Sequence, residues 1–287
     1  MNSIFCCPLR RRVITPALLA VSLLLAATVT TTQATILVND TFDVGGTPTV
    51  GDDATDPLDT SWTAYAAGGT LSVVDDTTGL GSGNALNGAV LSGGGVTALS
   101  LPSVTLAVNQ SIILSFDFRY TSSPANNSLG FRFGILDQQT AGETNDRGYG
   151  GVISTGTDST GFRIYEDTGT SGSNEGLAGA DFGSLGATGP GSTSVLNDTL
   201  EHLFSLQITR TSATEVSLAA KVDGQTITAT DSTGAMFTFN QILIRNGAIG
   251  TDFRFDNVQL EVIPEPSTML LLGVGGLLIW RRARSGK

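Results

Sequence analysis

Ser111 to Tyr120, SIILSFDFRY, constrains the fold more than any other stretch of the chain. Ile112, Leu114, Phe116, Phe118 and Tyr120 fall on one side of a two-residue repeat, with Asp117 and Arg119 on the other. Such a repeat marks a half-buried strand, because successive side chains point to opposite faces of a sheet. Leu129 to Ile135 repeats it, with Phe131, Phe133 and Ile135 inward and Arg132 outward. Gly161 to Glu166, Leu200 to Arg210, Glu215 to Val222, Phe237 to Ile244 and Phe253 to Val262 continue in the same manner. Asp223-Gly224 predicts a tight hairpin, since both central residues of a type I′ turn need positive φ. No amphipathic helix pattern intervenes. Strands without helices to cover a parallel sheet pack as two antiparallel sheets face to face, so the predicted fold is an all-β antiparallel sandwich.

Two stretches break the alternation. Thr47 to Asp59 sets Asp52, Asp53, Asp56 and Asp59 among proline and glycine, and reads as a loop. Gly169 to Ser194 is glycine-rich, with Leu177, Phe182 and Leu185 as its large apolar residues, and reads as a mobile surface insertion.

The ends of the chain differ from its body. Arg10, Arg11 and Arg12 precede an apolar run from Val13 to Ala27 and the small-residue stretch Thr32-Gln33-Ala34. These are the three regions of a secretory signal peptide, with cleavage expected after Ala34. Pro16 and the modest length of the run argue against a permanent span. Cys6 and Cys7 are the two cysteines of the chain and both precede the cleavage point, so the mature protein is expected to hold no disulfide and no thiolate nucleophile. At the other end, Pro264, Glu265 and Pro266 form a rigid element through which no helix passes. The apolar segment Ser267 to Trp280 follows, closed by Arg281, Arg282 and Arg284. Its roughly 14 residues make a helix about 21 Å long against a hydrocarbon core of about 30 Å, a length suited to a transient anchor. Arginines at both ends place the body between them outside the membrane.

A Pro-Glu-Pro triplet, a short glycine-containing hydrophobic segment and a terminal arginine cluster, in that order, resemble the PEP-CTERM sorting domain of bacterial surface proteins. The resemblance covers about the last 25 residues. It implies handling by an exosortase, a membrane-embedded cysteine transpeptidase that cuts near the triplet and passes the protein to the cell surface or extracellular polymeric matrix. The expected organisation is a signal peptide over 1–34, a sandwich over 35–263 and a sorting and anchor segment over 264–287, with an N-terminal signal helix and a C-terminal transmembrane helix in the inner-membrane precursor.

The body carries a second resemblance. Thr41-Phe42-Asp43 near the mature start, the long strand ending in Phe-Asp-Phe-Arg, HLFSLQITR from His202 to Arg210, the strand into Asp223-Gly224, and Phe255-Asp256-Asn257-Val258 are together similar to a concanavalin-A-like or laminin-G-like jelly roll. That resemblance implies a sandwich whose first and last strands lie side by side.

Charge narrows the partners. Asp and Glu number 26 against 15 Lys and Arg, a formal net charge of −11, and the body over 35–263 holds 25 acidic against 8 basic residues, a net charge of −17. An acidic exported body repels phosphate backbones, which argues against nucleic acid as a partner, and keeps the protein soluble. Divalent cations are the ions it attracts. If the terminal strands are neighbours, Asp40, Asp43 and Asp256 form a candidate structural calcium site built from oxygen ligands. The alternative is that Asp256 and Asn257 make turn hydrogen bonds to their own backbone.

Polysaccharide hydrolysis on this fold needs two carboxylates about 5 Å apart, which alternating positions of a strand can supply. The Glu-x-Asp-x-x-Glu run of family 16 glycoside hydrolases does not occur. Glu166 and Asp167 are adjacent and predicted to face opposite ways, and Glu143 and Asp146 fall in a predicted loop. The single histidine, His202, heads a predicted strand with no G-x-S-x-G elbow nearby and reads as half-exposed. One histidine and no mature cysteine leave no zinc-catalytic set. Gly79, Gly81 and Gly83 lack the third glycine of a dinucleotide fingerprint, Leu86 standing in its place. No catalytic residue is assigned. The expected function is that of an exported, non-enzymatic surface or matrix protein, with polysaccharide or another matrix component as ligand; a glycoside hydrolase or lyase is the alternative. Trp62, Tyr65, Tyr149 and Tyr165 are the aromatics available to stack on sugar rings unless they pack in the core.

Overall fold

The computed structural model of the chain describes residues 33–42, 61–65, 69–80, 83–90, 95–99, 101–137, 146–169, 177, 182–247 and 251–265. The strands begin with β1 (Thr35–Asp40), β2 (Ser61–Tyr65), β3 (Gly69–Asp75), β4 (Asn84–Val90), β5 (Gly95–Leu99) and β6 (Val104–Thr105). The middle of the chain supplies β7 (Ser111–Tyr120), β8 (Asn127–Asp137), β9 (Arg147–Thr155), β10 (Phe162–Asp167) and β11 (Phe182–Gly186). After a short 3-10 turn, Pro190–Thr193, come β12 (His202–Arg210), β13 (Val216–Val222), β14 (Gln225–Asp231), β15 (Thr238–Phe239), β16 (Gln241–Asn246) and β17 (Phe253–Ile263). No helix among the described residues is long and apolar enough to cross a membrane. The signal segment over 1–32, the loop predicted over 47–59, and the anchor with Arg281, Arg282 and Arg284 lie outside the described residues.

Among the described residues, two large antiparallel sheets carry the fold. The first runs β14-β13-β12-β7-β17-β4-β3, with β1 added beside β17; the second runs β11-β10-β9-β8-β16-β5-β2. β6 and β15 form a separate pair. β1 pairs with β17 from Thr35 opposite Val262 to Asp40 opposite Val258, so the first and last strands are neighbours. The protein is an antiparallel β-sandwich of jelly-roll type.

The interior follows from the alternation. Ile112, Leu114, Phe116, Phe118 and Tyr120 of β7 are all buried. They meet the inward residues of β8: Phe116 lies edge-on to Phe133 at 5.4 Å, and Phe118 is tilted over Phe131 at 3.9 Å. Each such ring contributes roughly 1.5–3 kcal/mol through burial alone. The Tyr120 hydroxyl donates to Asn246 Oδ1 at 3.1 Å, satisfying its one polar atom in the core. Asp223 and Gly224 have φ of 49° and 79° and join β13 to β14, as the predicted hairpin requires.

Three features depart from the sequence reading. Residues 237–244, expected as one strand, divide into β15 and β16 around Asn240, whose N–H donates to the Leu136 carbonyl at 2.9 Å. Gly130 to Leu136 of β8 are buried without interruption, so Arg132 points away from the core yet is only 8% exposed. The stretch 169–194, read as a mobile insertion, supplies β11 to the edge of the second sheet, a 3-10 turn, and a fully buried Leu177. The last two share a cause: Leu177 and Phe182 pack on the outer face of the second sheet.

Candidate functional site

That outer face can be read from the strand register. Arg163, Val152, Arg132 and Arg245 lie opposite one another on β10, β9, β8 and β16; Tyr165, Gly150, Gly134 and Leu243 form the next row; Asp167, Gly148, Leu136 and Gln241 form the third. Leu177 sits over the middle row. A Cβ on Gly150 would lie 2.7 Å from Leu177 Cδ2, and one on Gly134 would lie 3.0 Å from Leu177 Cδ1, so the two glycines make the seat. The Leu177 backbone is held from both sides: its N–H donates to Asp167 Oδ2 at 2.7 Å, and its carbonyl accepts from Arg132 Nη1 at 2.7 Å. These bonds fix a φ of 59° that a leucine adopts at a cost of about 1 kcal/mol. Leu136, Leu177 and Leu243 form a small apolar cluster with Phe182 against it, and Phe182 stacks on Tyr165 at 4.4 Å. Gln241 is 1% exposed in this layer, and among the described residues neither its amide nitrogen nor its amide oxygen has a hydrogen-bond partner.

Glu166 is opposite Tyr149 on the core side of the second sheet, and Asp167 is opposite Gly148 on the outer side, the opposite orientation predicted for the adjacent pair. The Tyr149 hydroxyl donates to Asp231 Oδ2 at 2.6 Å and accepts from the Met236 N–H at 2.9 Å. Burial, then the charges of Asp231 and Asp167, push Glu166 up to about 7. Sequence spacing gave no sign of this grouping, because 65 residues and a change of sheet separate Glu166 from Asp231. Asp146 directly precedes β9 and is buried, while Glu143 lies outside the described residues.

His202 corrects the expectation of a half-exposed residue. It is 8% exposed, with Nδ1 2.8 Å from Asp223 Oδ2 and Nε2 3.0 Å from Asp198 Oδ1. The turn carboxylate of Asp223 also accepts from the Leu203 N–H at 3.0 Å, so the hairpin itself closes over the ring. Trp62 and Tyr149 are buried at 1% and 0% exposure, as core packing requires, whereas Tyr165 is half-buried on the outer face of its sheet. Tyr65 lies on β2.

At the terminal strands, Asp40 and Asp256 lie on neighbouring strands, and Asp43 lies outside the described residues. Asp40 accepts from the Trp62 indole at 2.5 Å and from the Phe42 N–H at 3.2 Å. Asp256 accepts from the Asn257 N–H at 2.7 Å, and Asn257 donates to Asp117 Oδ2 at 2.6 Å. Asn257 has φ of 52° at the point where the β17 register shifts against β7, so Phe-Asp-Asn-Val is a β-bulge. Among the described residues no three His, Cys, Asp or Glu group to hold a metal ion.

β17 runs without a break to the sorting triplet. Ile263 is still paired with Ser111, and Glu265 Oε1 accepts from the Asn109 side-chain amide at 3.0 Å. Ala34 is exposed immediately before β1, at the same end of the sheet; Pro266 lies outside the described residues.

Residues 262–284 match the family model of the PEP-CTERM protein-sorting motif. The motif marks the chain as an exported protein sorted to the outer side of the cell. None of the curated proteins matches the chain. Among solved structures, the chain is similar to an alginate lyase from Chlorella virus, at 9% identity, covering 70% of this chain and 92% of that one with a TM-score of 0.45. It is also similar to the Emp46p carbohydrate recognition domain in its potassium-bound form, at 11% identity over 78% and 98% of the two chains with a TM-score of 0.45. A carbohydrate esterase from Shiga toxin-encoding bacteriophage phi24B is 15% identical over 81% and 100%, with a TM-score of 0.44.

Proposed function

We propose that the chain is an exported, non-catalytic surface or extracellular-matrix protein, delivered by exosortase cleavage near Pro264-Glu265-Pro266, whose sandwich contacts polysaccharide or another matrix component. The observation that carries this reading is the sorting motif at 262–284, which starts inside β17 and so has the sandwich as its cargo. In this reading residues 1–34 are the signal peptide, 35–263 the delivered body and 264–287 the sorting and anchor segment, with Arg281, Arg282 and Arg284 on the cytoplasmic side. The half-buried Tyr165–Phe182 stack beside Arg163 offers an aromatic ledge for a sugar ring with a guanidinium at its edge. The absence of catalysis is supported by the position of Glu166 and Asp231, on the core side with Tyr149, and by the two carboxylates that occupy His202. Structural calcium at Asp40, Asp43 and Asp256 belongs to the same proposal: a chelator that lowers the melting temperature supports it, and an unchanged value removes it.

The second reading, a polysaccharide-active enzyme, draws on one observation. A carboxyl near pH 7 beside a second carboxylate is the pairing of a general acid with its partner. A glycan array on the mature protein, followed by assay for released reducing ends, separates the two. Binding without release, weakened about tenfold by Tyr165→Ala, is expected. Release abolished by Glu166→Gln establishes the enzyme instead.

A further inference from the structure

We propose that the end of the sandwich from which the sorting motif leaves is a docking surface for the membrane transpeptidase that reads the motif, so that recognition extends from the triplet onto the folded body. This rests on the sorting reading above. The motif does not leave on a free linker: Ile263 remains in the ladder opposite Ser111, and Asn109 holds Glu265 two residues later. An enzyme that reaches Glu265 therefore meets the turn that carries Asn109.

That turn is preorganised. The Asn109 N–H donates to the Arg210 carbonyl at 2.6 Å, the Gln110 N–H donates to the Ala107 carbonyl at 3.0 Å, and Gln110 Oε1 accepts from the Ala107 N–H at 2.9 Å. Asn109 itself has φ of 65°, a conformation that asparagine tolerates better than other side chains. Its side chain is thereby aimed along the end of β17.

Exposed apolar side chains gather at the same place. Among the described residues, the exposed large hydrophobics are Ile36, Val108, Leu200, Leu203 and Ile263. Leu200 and Leu203 lie at the opposite end of the first sheet, where β12 begins. Ile36 is opposite Glu261, and Ile263 follows Glu261 by two residues on the same face, so the two isoleucines are diagonal neighbours. Val108 precedes Asn109. Single exposed aliphatics are ordinary, but Ile36 and Ile263 on one face, with Val108 beside the asparagine that holds Glu265, put three of the five at this end of the sheet.

The charge at this end selects the occupant. Glu261 and Glu265 flank the patch, and Arg210 is committed to the carbonyls of Leu106 and Ser212 and to the Phe237 ring. Aliphatic and acidic groups together repel an anionic lipid surface, which polybasic segments seek, and suit a protein surface. Met269 opens the apolar run four residues after Glu265, a chain length that spans at most about 14 Å, so an enzyme that binds that run is within reach of Glu265.

The test uses the full chain in cells with the transpeptidase. The double variant Ile36→Ser, Val108→Ser is expected to slow formation of the trimmed C-terminus by about tenfold, as loss of two interface anchors does. The double variant Leu200→Ser, Leu203→Ser removes as much surface hydrophobicity at the other end, and is expected to stay within twofold of the unchanged protein. Equal rates for the two variants overturn the proposal. A photoreactive residue at position 108 in the otherwise unchanged chain is expected to cross-link to the transpeptidase; adducts to lipid alone, or none, overturn it independently of how the serine variants fold. Failure of the unchanged chain to be trimmed at all removes the sorting reading, and this inference with it.

Discussion

On the outer face of the first sheet Arg119 of β7 lies opposite Arg254 of β17; on the outer face of the second, Arg132 of β8 lies opposite Arg245 of β16. Like charges in that position repel, and the two faces deal with them differently. In the first, Asp76 projects from the turn after β3 and accepts from both guanidiniums, with its own side chain 1% exposed. In the second, Arg132 donates to the carbonyls of Leu129 and Leu177 and lies over the Phe182 ring at 6.0 Å. One face is clamped by a carboxylate; the other is roofed by Leu177 and Phe182. With Leu177 in place, β8 is buried on both sides from Gly130 to Leu136 and β9 from Gly148 to Thr155, which changes which residues these strands can use.

The comparison can be broken first at what the faces share. Phe118→Ala removes a ring that touches residues of both sheets and is expected to cost about 3–5 kcal/mol in denaturant unfolding, with one cooperative transition. Leu177→Ala tests the roof alone. It should cost about 3 kcal/mol and raise amide exchange in β8 and β9 more than in β7; a cost below about 0.5 kcal/mol, the range of ordinary surface changes, would make the roof incidental.

Asp76→Asn tests the clamp and is expected to cost about 2 kcal/mol, between the values for exposed and buried pairs. Burial acts to raise the Asp76 carboxyl, but the Arg119 and Arg254 hydrogen bonds outweigh it and hold it below its ordinary 3.8. The stability it contributes is therefore present above 3.8 and lost as pH falls through the lower folded value, and the variant should lack that acid-side loss. Glu166 has the reverse sign. With its carboxyl raised to about 7 from 4.5, its contribution is full below 4.5 and fades as pH rises to about 7. The melting temperature should fall across that interval, and Glu166→Gln should flatten the curve there.

The first sheet was legible because water covers one side of β7: polar residues had to alternate with apolar ones, and Asp117 and Arg119 show it. The strand β9, RGYGGVIST, was not. Its glycines at 148 and 150 leave no alternation of apolar side chains to read, and they are small because Leu136 and Leu177 pack against them. For the same reason the stretch around Leu177 looked like an insertion: one leucine among glycines carries no periodicity, and its meaning depends on the seat formed by Gly134 and Gly150. The hairpin at Asp223-Gly224 could be read because turn geometry is local. The gathering of Glu166, Asp231 and Tyr149 could not, because it joins two sheets.

The fate of the chain's last segment tests the sorting reading most directly. Mass spectrometry of the mature protein's C-terminus, in cells with and without the transpeptidase, reads it. A new terminus near Pro264-Glu265-Pro266 that depends on the enzyme is predicted; a protein still ending at Lys287 in both strains would contradict the account.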